Sequence, residues 1–255
     1  MYKRQEYENR GRIAVITINR PEARNAVNHE VAEGIEEALD QFEGDENLWT
    51  GILCGNGPAF SAGADLKAIS AGELNLATKR GGFGGIVARE RTKPLIAAVD
   101  GPALAGGTEL ALACDLIVAS TAARFGLPEV KRSLIASAGG LVRLPRVLPK
   151  NVAMQMALTG EPISAEEAHS FGMVNILTEQ GKALDEALLL AETINQNAPL
   201  AVRATRRSLL ESLTLNDHDG MKFAIEETAV LTSTEDYKEG PIAFIEKRPP
   251  IWKGK

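Results

Sequence analysis

Aromatic residues make up only 5% of this 255-residue chain, and it holds two cysteines and three histidines. Each shortage removes a class of function. Cys54 and Cys114, each in or just after an apolar run, give no disulfide framework and read as buried free thiols of a reducing compartment. His29, His169 and His218 have no partners at metal-ligand spacing, so no metal is expected. No apolar run approaches the ~20 residues of a membrane span. The Met-Tyr-Lys-Arg-Gln-Glu start carries charge without an apolar stretch, so no secretory leader is expected and a cytoplasmic location is. The P-loop pattern, a strand-linked G-x-G-x-x-G and the G-x-S-x-G elbow are all missing, which sets aside nucleotide, dinucleotide and the simplest serine-hydrolase chemistry. A net charge of −6 does not supply the broad basic face that nucleic acid or an anionic membrane would require.

What is present is the composition of a soluble globular protein, 44% apolar and 24% charged, long enough for one large domain or a domain with an appendage. The N-terminal half repeats a short apolar strand, a turn and a helix. Strands are expected at 12–18, 51–54, 94–99 and 116–119, with an amphipathic helix over 29–42. Near-continuous apolar strands alternating with helices imply an α/β fold whose sheet is covered by helices. Residues 70–92, with Ser-Ala-Gly-Glu and then Gly81-Gly82-Phe83-Gly84-Gly85, interrupt the rhythm. They read as a flexible surface connection, or as a mobile flap whose Phe83 touches a ligand. After residue 150 the chain turns helical. Ser164-Ala-Glu-Glu167 forms a capping box for a helix closed by Gly172. Further helices are expected over 183–194, from Asn197-Ala-Pro199 through Leu213, over 219–232, and before Lys247-Arg-Pro-Pro. Terminal amphipathic helices of this kind often pack on a neighbouring subunit.

Three segments can carry chemistry. In Gly106-Gly107-Thr108-Glu109, glycines open a helix, leave unpaired N–H groups at its start and let a ligand approach the backbone. In 60–67, Phe-Ser-Ala-Gly-Ala-Asp-Leu-Lys, small residues follow a strand, and Asp65 is placed to cap the next helix. An Ala64 N–H facing that of Gly106 would make an oxyanion hole. In Gly126-Leu127-Pro128-Glu129, proline suits a first helical position and the acid suits the helix dipole. Singly, each segment also fits an ordinary turn. Two carboxylates on neighbouring turns can divide acid and base work.

Taken in order, these segments resemble the crotonase (enoyl-CoA hydratase/isomerase) superfamily. The matching stretches are Asn19-Arg-Pro-Glu-Ala-Arg-Asn-Ala26, Ala59-Phe-Ser-Ala-Gly-Ala-Asp-Leu66, the run from Pro94 through Gly106 and Glu109 to Asp115, and Phe125-Gly-Leu-Pro-Glu129. Ala138-Gly-Gly140, Leu158-Thr-Gly160 and Glu239-Gly-Pro-Ile-Ala-Phe-Ile-Glu-Lys-Arg248 extend the likeness over nearly the whole chain. The resemblance implies a superhelix of ββα units over 1–195 and a C-terminal helical region over 196–255 that builds homotrimers, often paired into hexamers. It implies an acyl-CoA substrate, with coenzyme A as part of that substrate and no separate cofactor. The thioester oxygen would sit on the N–H groups of Ala64 and Gly106, with Glu109 and Glu129 as the catalytic acids of a 2-enoyl-CoA hydratase. Ala62, Asp65 and Leu66 belong to the CoA-binding stretch, and Arg24, Lys67 and Lys247 are the candidate cations for the CoA phosphates.

The pattern departs from hydratases at Ile135-Ala136-Ser137-Ala138-Gly139-Gly140, where Ile-Pro-Gly-Ala-Gly-Gly is usual. This alters the pocket wall near Glu129. Leu144-Pro-Arg-Val-Leu-Pro149 and the C-terminal ending also resemble the carnitinyl-CoA dehydratase branch. A Δ3,Δ2-enoyl-CoA isomerase, which needs a single proton shuttle, is a further alternative. A non-catalytic RNA-binding member of the superfamily fits neither the net charge nor the retention of both glutamates.

Overall fold

The computed structural model describes residues 5–70, 72 and 75–255. The reading of the first four residues, and that of Ala71 and Glu73 within Ser-Ala-Gly-Glu, lie outside the described residues. In chain order the elements are β1 (Gln5–Arg10), β2 (Ile13–Ile18), α1 (His29–Gly44), β3 (Thr50–Gly55), α2 (Leu66–Ser70), β4 (Ala77–Thr78), β5 (Gly82–Phe83), β6 (Leu95–Val99), β7 (Ala103–Leu104), α3 (Gly106–Ala113), β8 (Leu116–Ser120) and β9 (Arg124–Gly126). A 3-10 turn spans Pro128–Arg132. Then follow α4 (Gly140–Val147), α5 (Lys150–Thr159), β10 (Ile163–Ser164), α6 (Ala165–Ser170), β11 (Ile176–Thr178), α7 (Ala183–Asn195), α8 (Pro199–Ser212), α9 (Asp217–Leu231) and α10 (Glu235–Glu246). The four expected strands and the expected helices are present, within two or three residues at their ends. Strand β1 was not foreseen. Its polar sequence pairs antiparallel with β2 at the sheet edge, where one face meets water.

Among the described residues the main sheet runs β1-β2-β3-β6-β8-β11, parallel from β2 onward. Both its faces are covered, which explains the absence of polar alternation along the strands. Ile13, Val15, Ile52, Ile96 and Val118 point one way, onto Ala183, Ala187 and Ala191 of α7. These alanines recur at i, i+4, so a smooth small-residue stripe lets the helix lie close to the sheet. Cys54 lies in this layer as a free thiol. Ala14, Ile16, Leu53, Ala97, Ile117 and their neighbours point the other way, onto α1, α3 and the helices that follow. Cys114 is also free; the residue is partly exposed, while its thiol is enclosed enough for burial to raise it.

A second ladder crosses the chain just beyond the main strands. The segment after β2 bridges the segment after β3 at Val27 and Ala64. The segment after β3 bridges β7 at Ser61 and Ala103, β7 pairs β9, and β9 pairs β10. Each repeat is therefore a long strand, a short second strand or bridge, and a helix, which is the ββα superhelix the sequence implied. Asn25 locks the first repeat. Fully buried, it accepts from Arg20 N at 2.8 Å and donates to the Asn56 and Ala59 carbonyls at 2.9 and 2.7 Å.

Thr108 locks the third repeat. Its hydroxyl, fully buried, lies 2.7 Å from the Ala103 carbonyl and 3.0 Å from that of Gly126, and it accepts the Gly126 N–H at 3.0 Å. Thr108→Val keeps the shape and removes the hydroxyl partner of the Ala103 carbonyl and the Gly126 N–H, while the Gly126 carbonyl still accepts from Ala105 N at 2.8 Å. Denaturant unfolding should show a loss of about 1–3 kcal/mol; an unchanged midpoint would mean that water or a backbone shift satisfies the groups left without the hydroxyl.

Candidate active site

The second ladder gathers the turns of successive repeats around one cavity of about 400 Å³. The segment after β3 supplies Ala62, Ala64 and Leu66; the start of α3 supplies Ala105, Gly106 and Glu109; the 3-10 turn supplies Glu129. Three glycines allow this convergence. Gly63 has φ 83, and a Cβ on it would lie 2.6 Å from the Gly106 nitrogen. A Cβ on Gly106 would strike the Phe83 ring at 2.5 Å, and one on Gly107 would strike the Ser61 carbonyl at 2.1 Å. Ala105, just before α3, is held at φ 53 and ψ −128, a strained conformation for a residue with a side chain.

Two backbone amides point into this space unused. The groups flanking Ala64 bond to Val27, from Val27 N to Gly63 O at 2.7 Å and from Asp65 N to Val27 O at 2.9 Å. The N–H of Ala64 itself therefore faces the opposite side. Gly106 is the first residue of α3, where no helical acceptor exists. Among the described residues, neither the Ala64 nor the Gly106 amide donates to any protein group.

The two glutamates occupy opposite hydrogen-bond environments. Glu109 is 3% exposed, one turn into α3, and its Oε1 accepts the Gly140 N–H at 2.8 Å. A Cβ on Gly140 would lie 3.0 Å from that oxygen and 3.1 Å from Glu109 Cγ, so the carboxyl would have to give by a few tenths of an ångström. Burial pushes the Glu109 carboxyl up to about 7; the Gly140 and Ala138 amides and Arg143 pull it down, while the charge of Glu129 adds to the rise. Glu129 follows Pro128 in the 3-10 turn, and burial raises its carboxyl as well. Its Oε2 is buried with no hydrogen-bond partner among the described residues. A buried oxygen without a donor is better tolerated on a protonated acid than on a carboxylate.

Of the residues singled out from sequence, Ala62, Ala64, Leu66, Gly106, Glu109 and Glu129 meet in the cavity. Arg24, Asp65, Lys67 and Lys247 do not line it. Asp65 is committed to the fold: Oδ1 caps α2 through Lys67 N at 2.9 Å and Ala68 N at 3.2 Å, and Oδ2 binds Arg20 Nη1 at 2.6 Å. Arg24 and Lys67 are exposed; the Arg24 carbonyl accepts from Ala62 N at 2.9 Å, and Lys67 follows the cavity-lining Leu66. Lys247, at φ 53 just past α10, is exposed and away from this cavity.

Sequence reasoning missed Leu76, Lys131, Arg132 and Leu134 in the wall. Arg132 was recoverable: in a 3-10 turn residues i and i+3 eclipse, so it comes round beside Glu129. Phe83 does line the cavity, and the part of its segment from Thr78 to Arg89 is tied to α1. Glu36 of α1 accepts the Gly81 N–H at 2.7 Å and the Thr78 hydroxyl, and Asp40 of α1 binds Arg80 and Arg89. A Cβ on Gly85 would lie 2.2 Å from the Ala32 carbonyl, so the loop is seated on α1.

Among the described residues no group of three or more His, Cys, Asp or Glu side chains could hold a metal ion. The arrangement suits hydrogen-bond and proton chemistry at a carbonyl, with two donors for a developing oxyanion and two carboxyls for proton movement. The raised Glu109 value carries a stability signature. The protonated form is the one the fold favours, so its contribution is fully present below about pH 4.5 and is lost as pH rises through 7. Glu109→Gln should match wild type near pH 4.5 and become more stable by about 1–3 kcal/mol at pH 8. Equal stability differences at the two pH values would show that the carboxyl is not raised.

Comparison with known proteins agrees with this geometry. The sequence pattern of the enoyl-CoA hydratase/isomerase family matches residues 8–255. Enoyl-CoA hydratase EchA19 of Mycobacterium tuberculosis is 39% identical over 254 residues, covering 97% of this chain and 96% of the relative. A carnitinyl-CoA dehydratase of Salmonella enteritidis PT4 is 39% identical over 252 residues, covering 96% of each. A crystal structure of an enoyl-CoA hydratase from Mycobacterium tuberculosis H37Rv superposes over the full length of both chains with a TM-score of 0.96 at 50% identity. The β-ladder turns, the paired glutamates and the full-length matches lead to one assignment: this chain belongs to the enoyl-CoA hydratase/isomerase family.

Proposed function

We propose that this chain is an enoyl-CoA hydratase, adding water reversibly and syn across the Cα=Cβ bond of a 2-enoyl-CoA thioester. The observation that carries this reading is the pair of carboxyls in one cavity, one accepting a backbone N–H and the other with an unpartnered oxygen, beside two unused amides. The thioester oxygen sits on the Ala64 and Gly106 amides, and negative charge drawn there makes Cβ electrophilic. Glu109, whose ionised form the Gly140 amide favours, orients water and takes its proton as oxygen bonds to Cβ. Glu129, whose carboxyl burial raises and whose Oε2 has no donor among the described residues, gives its proton to Cα of the enolate. Both groups work on one face of the alkene, which makes the addition syn. The proton gained by Glu109 and the one lost by Glu129 balance through solvent or exchange before the next turnover. An isomerase would need one such group only; the two contrasting carboxyls favour hydration.

The reaction as written needs no metal or redox cofactor, since coenzyme A arrives with the substrate. Arg24 and Lys67, both exposed and next in sequence to segments that bond to or line the cavity wall, are the cations proposed for the CoA phosphates. A cationic carnitinyl group is the second reading, and the wall speaks against it. Phe83 is the one aromatic residue lining the cavity among the described residues; the acids there, Glu109 and Glu129, are assigned to proton transfer, and Arg132 lines it together with Lys131, which is paired with Glu161 at 2.6 Å. A quaternary ammonium favours an aromatic or acidic cage over two cations.

Residues 196–255 form the oligomerisation region of a homotrimer or a hexamer in this proposal, on a 1–195 core. Phe244 is 86% and Ile245 77% exposed, and Leu209, Met221 and Ile225 of α8 and α9 are also exposed. So much uncovered apolar surface is typical of an interface. Lys247, remote from its own cavity, would then approach a neighbour's CoA. No helix among the described residues is long and apolar enough to cross a membrane, and a cytoplasmic location is proposed.

Two measurements test these readings. Loss of the conjugated-thioester absorbance of crotonyl-CoA should be fast with wild type and slower by about 10²–10⁴-fold with Glu109→Gln or Glu129→Gln. A cationic trimethylammonium analogue should react with a lower kcat/KM. Full activity in either variant would sink the two-glutamate assignment, and preference for the cationic analogue would favour the second reading. Light scattering at micromolar concentration should give three or six chain masses; a single chain mass would remove the assembly.

A further inference from the structure

Arg143, one turn into α4, is a half-buried cation without an ion pair among the described residues. Among the described residues no carboxylate oxygen lies within 4.0 Å of it. Its Nη2 donates to the Val87 carbonyl at 2.6 Å. The guanidinium folds back over Gly139, so that a Cβ there would lie 2.0 Å from Nη1. Gly139 also has φ 99, a left-handed conformation that suits glycine. The next residue, Gly140, gives its N–H to Glu109. The guanidinium therefore spans from the glycine pair that holds Glu109 to Val87, four residues beyond the cavity-lining Phe83.

We propose that Arg143 is a positioning residue for the hydration reaction: it locks the Gly139–Gly140 turn against the segment behind Phe83 and lends its positive charge to ionised Glu109. This rests on Glu109 acting as the base.

The charges around the two groups support the pairing. Glu109 is faced by Glu129 from the 3-10 turn, by the Gly140 and Ala138 amides and by Arg143 from α4. Arg143 is faced by Arg91 from the segment before β6, by Arg146 of its own helix, and by Cys114 and Glu109 of the α3 segment. Arg91 is occupied by the Ala113 carbonyl at 2.7 Å and by Asp115 at 3.6 Å. Burial pushes the Cys114 thiol up to about 12, so it is neutral. Of these named groups, Glu109 is the one that can carry negative charge at neutral pH. Two further cations crowd Arg143, and a carboxylate at Glu109 relieves that crowding. The benefit is reciprocal, because each charge favours the other.

Arg143 touches no substrate, so its loss should act through Glu109. In Arg143→Gln the acid limb of kcat/KM against pH should move up, giving a few-fold lower kcat/KM on that limb while the alkaline side keeps its rate and KM is little changed. Arg143→Lys keeps the charge without the planar fork. Its acid limb should stay in place while kcat falls a few-fold across the whole profile. A merely structural role would lower activity at every pH and leave the limb where it is in both variants, which would overturn the proposal. So would a Lys variant with a displaced limb, or one indistinguishable from wild type. The Lys variant decides the matter if the Gln variant does not fold.

A readout independent of catalysis separates this from the reading it rests on. Carbon-13 glutamate titration, with the Glu109 signal assigned by its loss in Glu109→Gln, should show the carboxyl midpoint raised in Arg143→Gln and kept in Arg143→Lys. An unmoved midpoint in folded Arg143→Gln overturns the proposal. A moved midpoint in a protein that hydrates no enoyl-CoA upholds the hold of Arg143 on Glu109 while removing the hydratase reading.

Discussion

Backbone bridges between the turns that follow successive strands are the constraint on which the rest of this molecule depends. A parallel sheet alone would leave those turns at its end, each free to take its own course. Here Val27 is tied to Ala64, Ser61 to Ala103, and β7 to β9. Such bridges consume the inward N–H and C=O groups of neighbouring residues and leave those of Ala64 facing outward. The helix start at Gly106 contributes a second free amide for an unrelated reason, the lack of an acceptor one turn back. Two unused donors in one place follow from how the repeats are stitched together. The strained Ala105 and the glycines at 63, 106 and 107 are the local consequences of bringing three turns into one small volume.

The same convergence sets the electrostatics. Turns packed this closely exclude water, and both carboxyls within them rise above their ordinary values. They differ because their backbone surroundings differ. Glu109 meets N–H groups at the start of α4, whereas Glu129 Oε2 meets none. Burial without a compensating partner is unfavourable to stability. Its presence in the cavity wall is the pattern of a fold that gives up some stability at its working site.

Much of this was legible in the sequence. The β-rich runs, the α1 periodicity and the capping box at Ser164 and Glu167 depend on local residue choice, and the capping box appears with both of its hydrogen bonds. The glutamates and the small residues beside them were visible because a turn that admits a ligand needs glycine or alanine at fixed places. Contacts made across the fold were not legible. Nothing local shows that Glu36 and Asp40, on the outward side of α1, fasten the glycine-rich loop, which therefore read as flexible. Nothing local distinguishes Asp65 as a ligand for Arg20 from Asp65 as a ligand for coenzyme A. The cations chosen from motif position, Arg24 and Lys67, stand outside the cavity, while Lys131 and Arg132 enter it by the winding of a 3-10 turn. Strand β1 was hidden by its polarity, since an edge strand with one wet face lacks the apolar run that marks its neighbours.

In the main sheet each strand lies beside the strand that precedes it in that sheet's chain order, from β1 to β11. No late segment has to be threaded between two earlier ones. The sheet can therefore grow at a single edge as the chain leaves the ribosome, each addition closing a modest loop. One face is left open during that growth. Ile13, Val15, Ile52, Ile96 and Val118 wait for the alanine stripe of α7, whose last member is Ala191. At translation rates of about 5–20 residues per second, the interval between Val118 and Ala191 is roughly 4–15 s. For that time the nascent chain displays a wide apolar surface beside an incomplete strand edge. Whatever chaperoning this protein needs is concentrated in that window, and synonymous changes that slow translation between residues 118 and 191 would lengthen it without altering a single side chain.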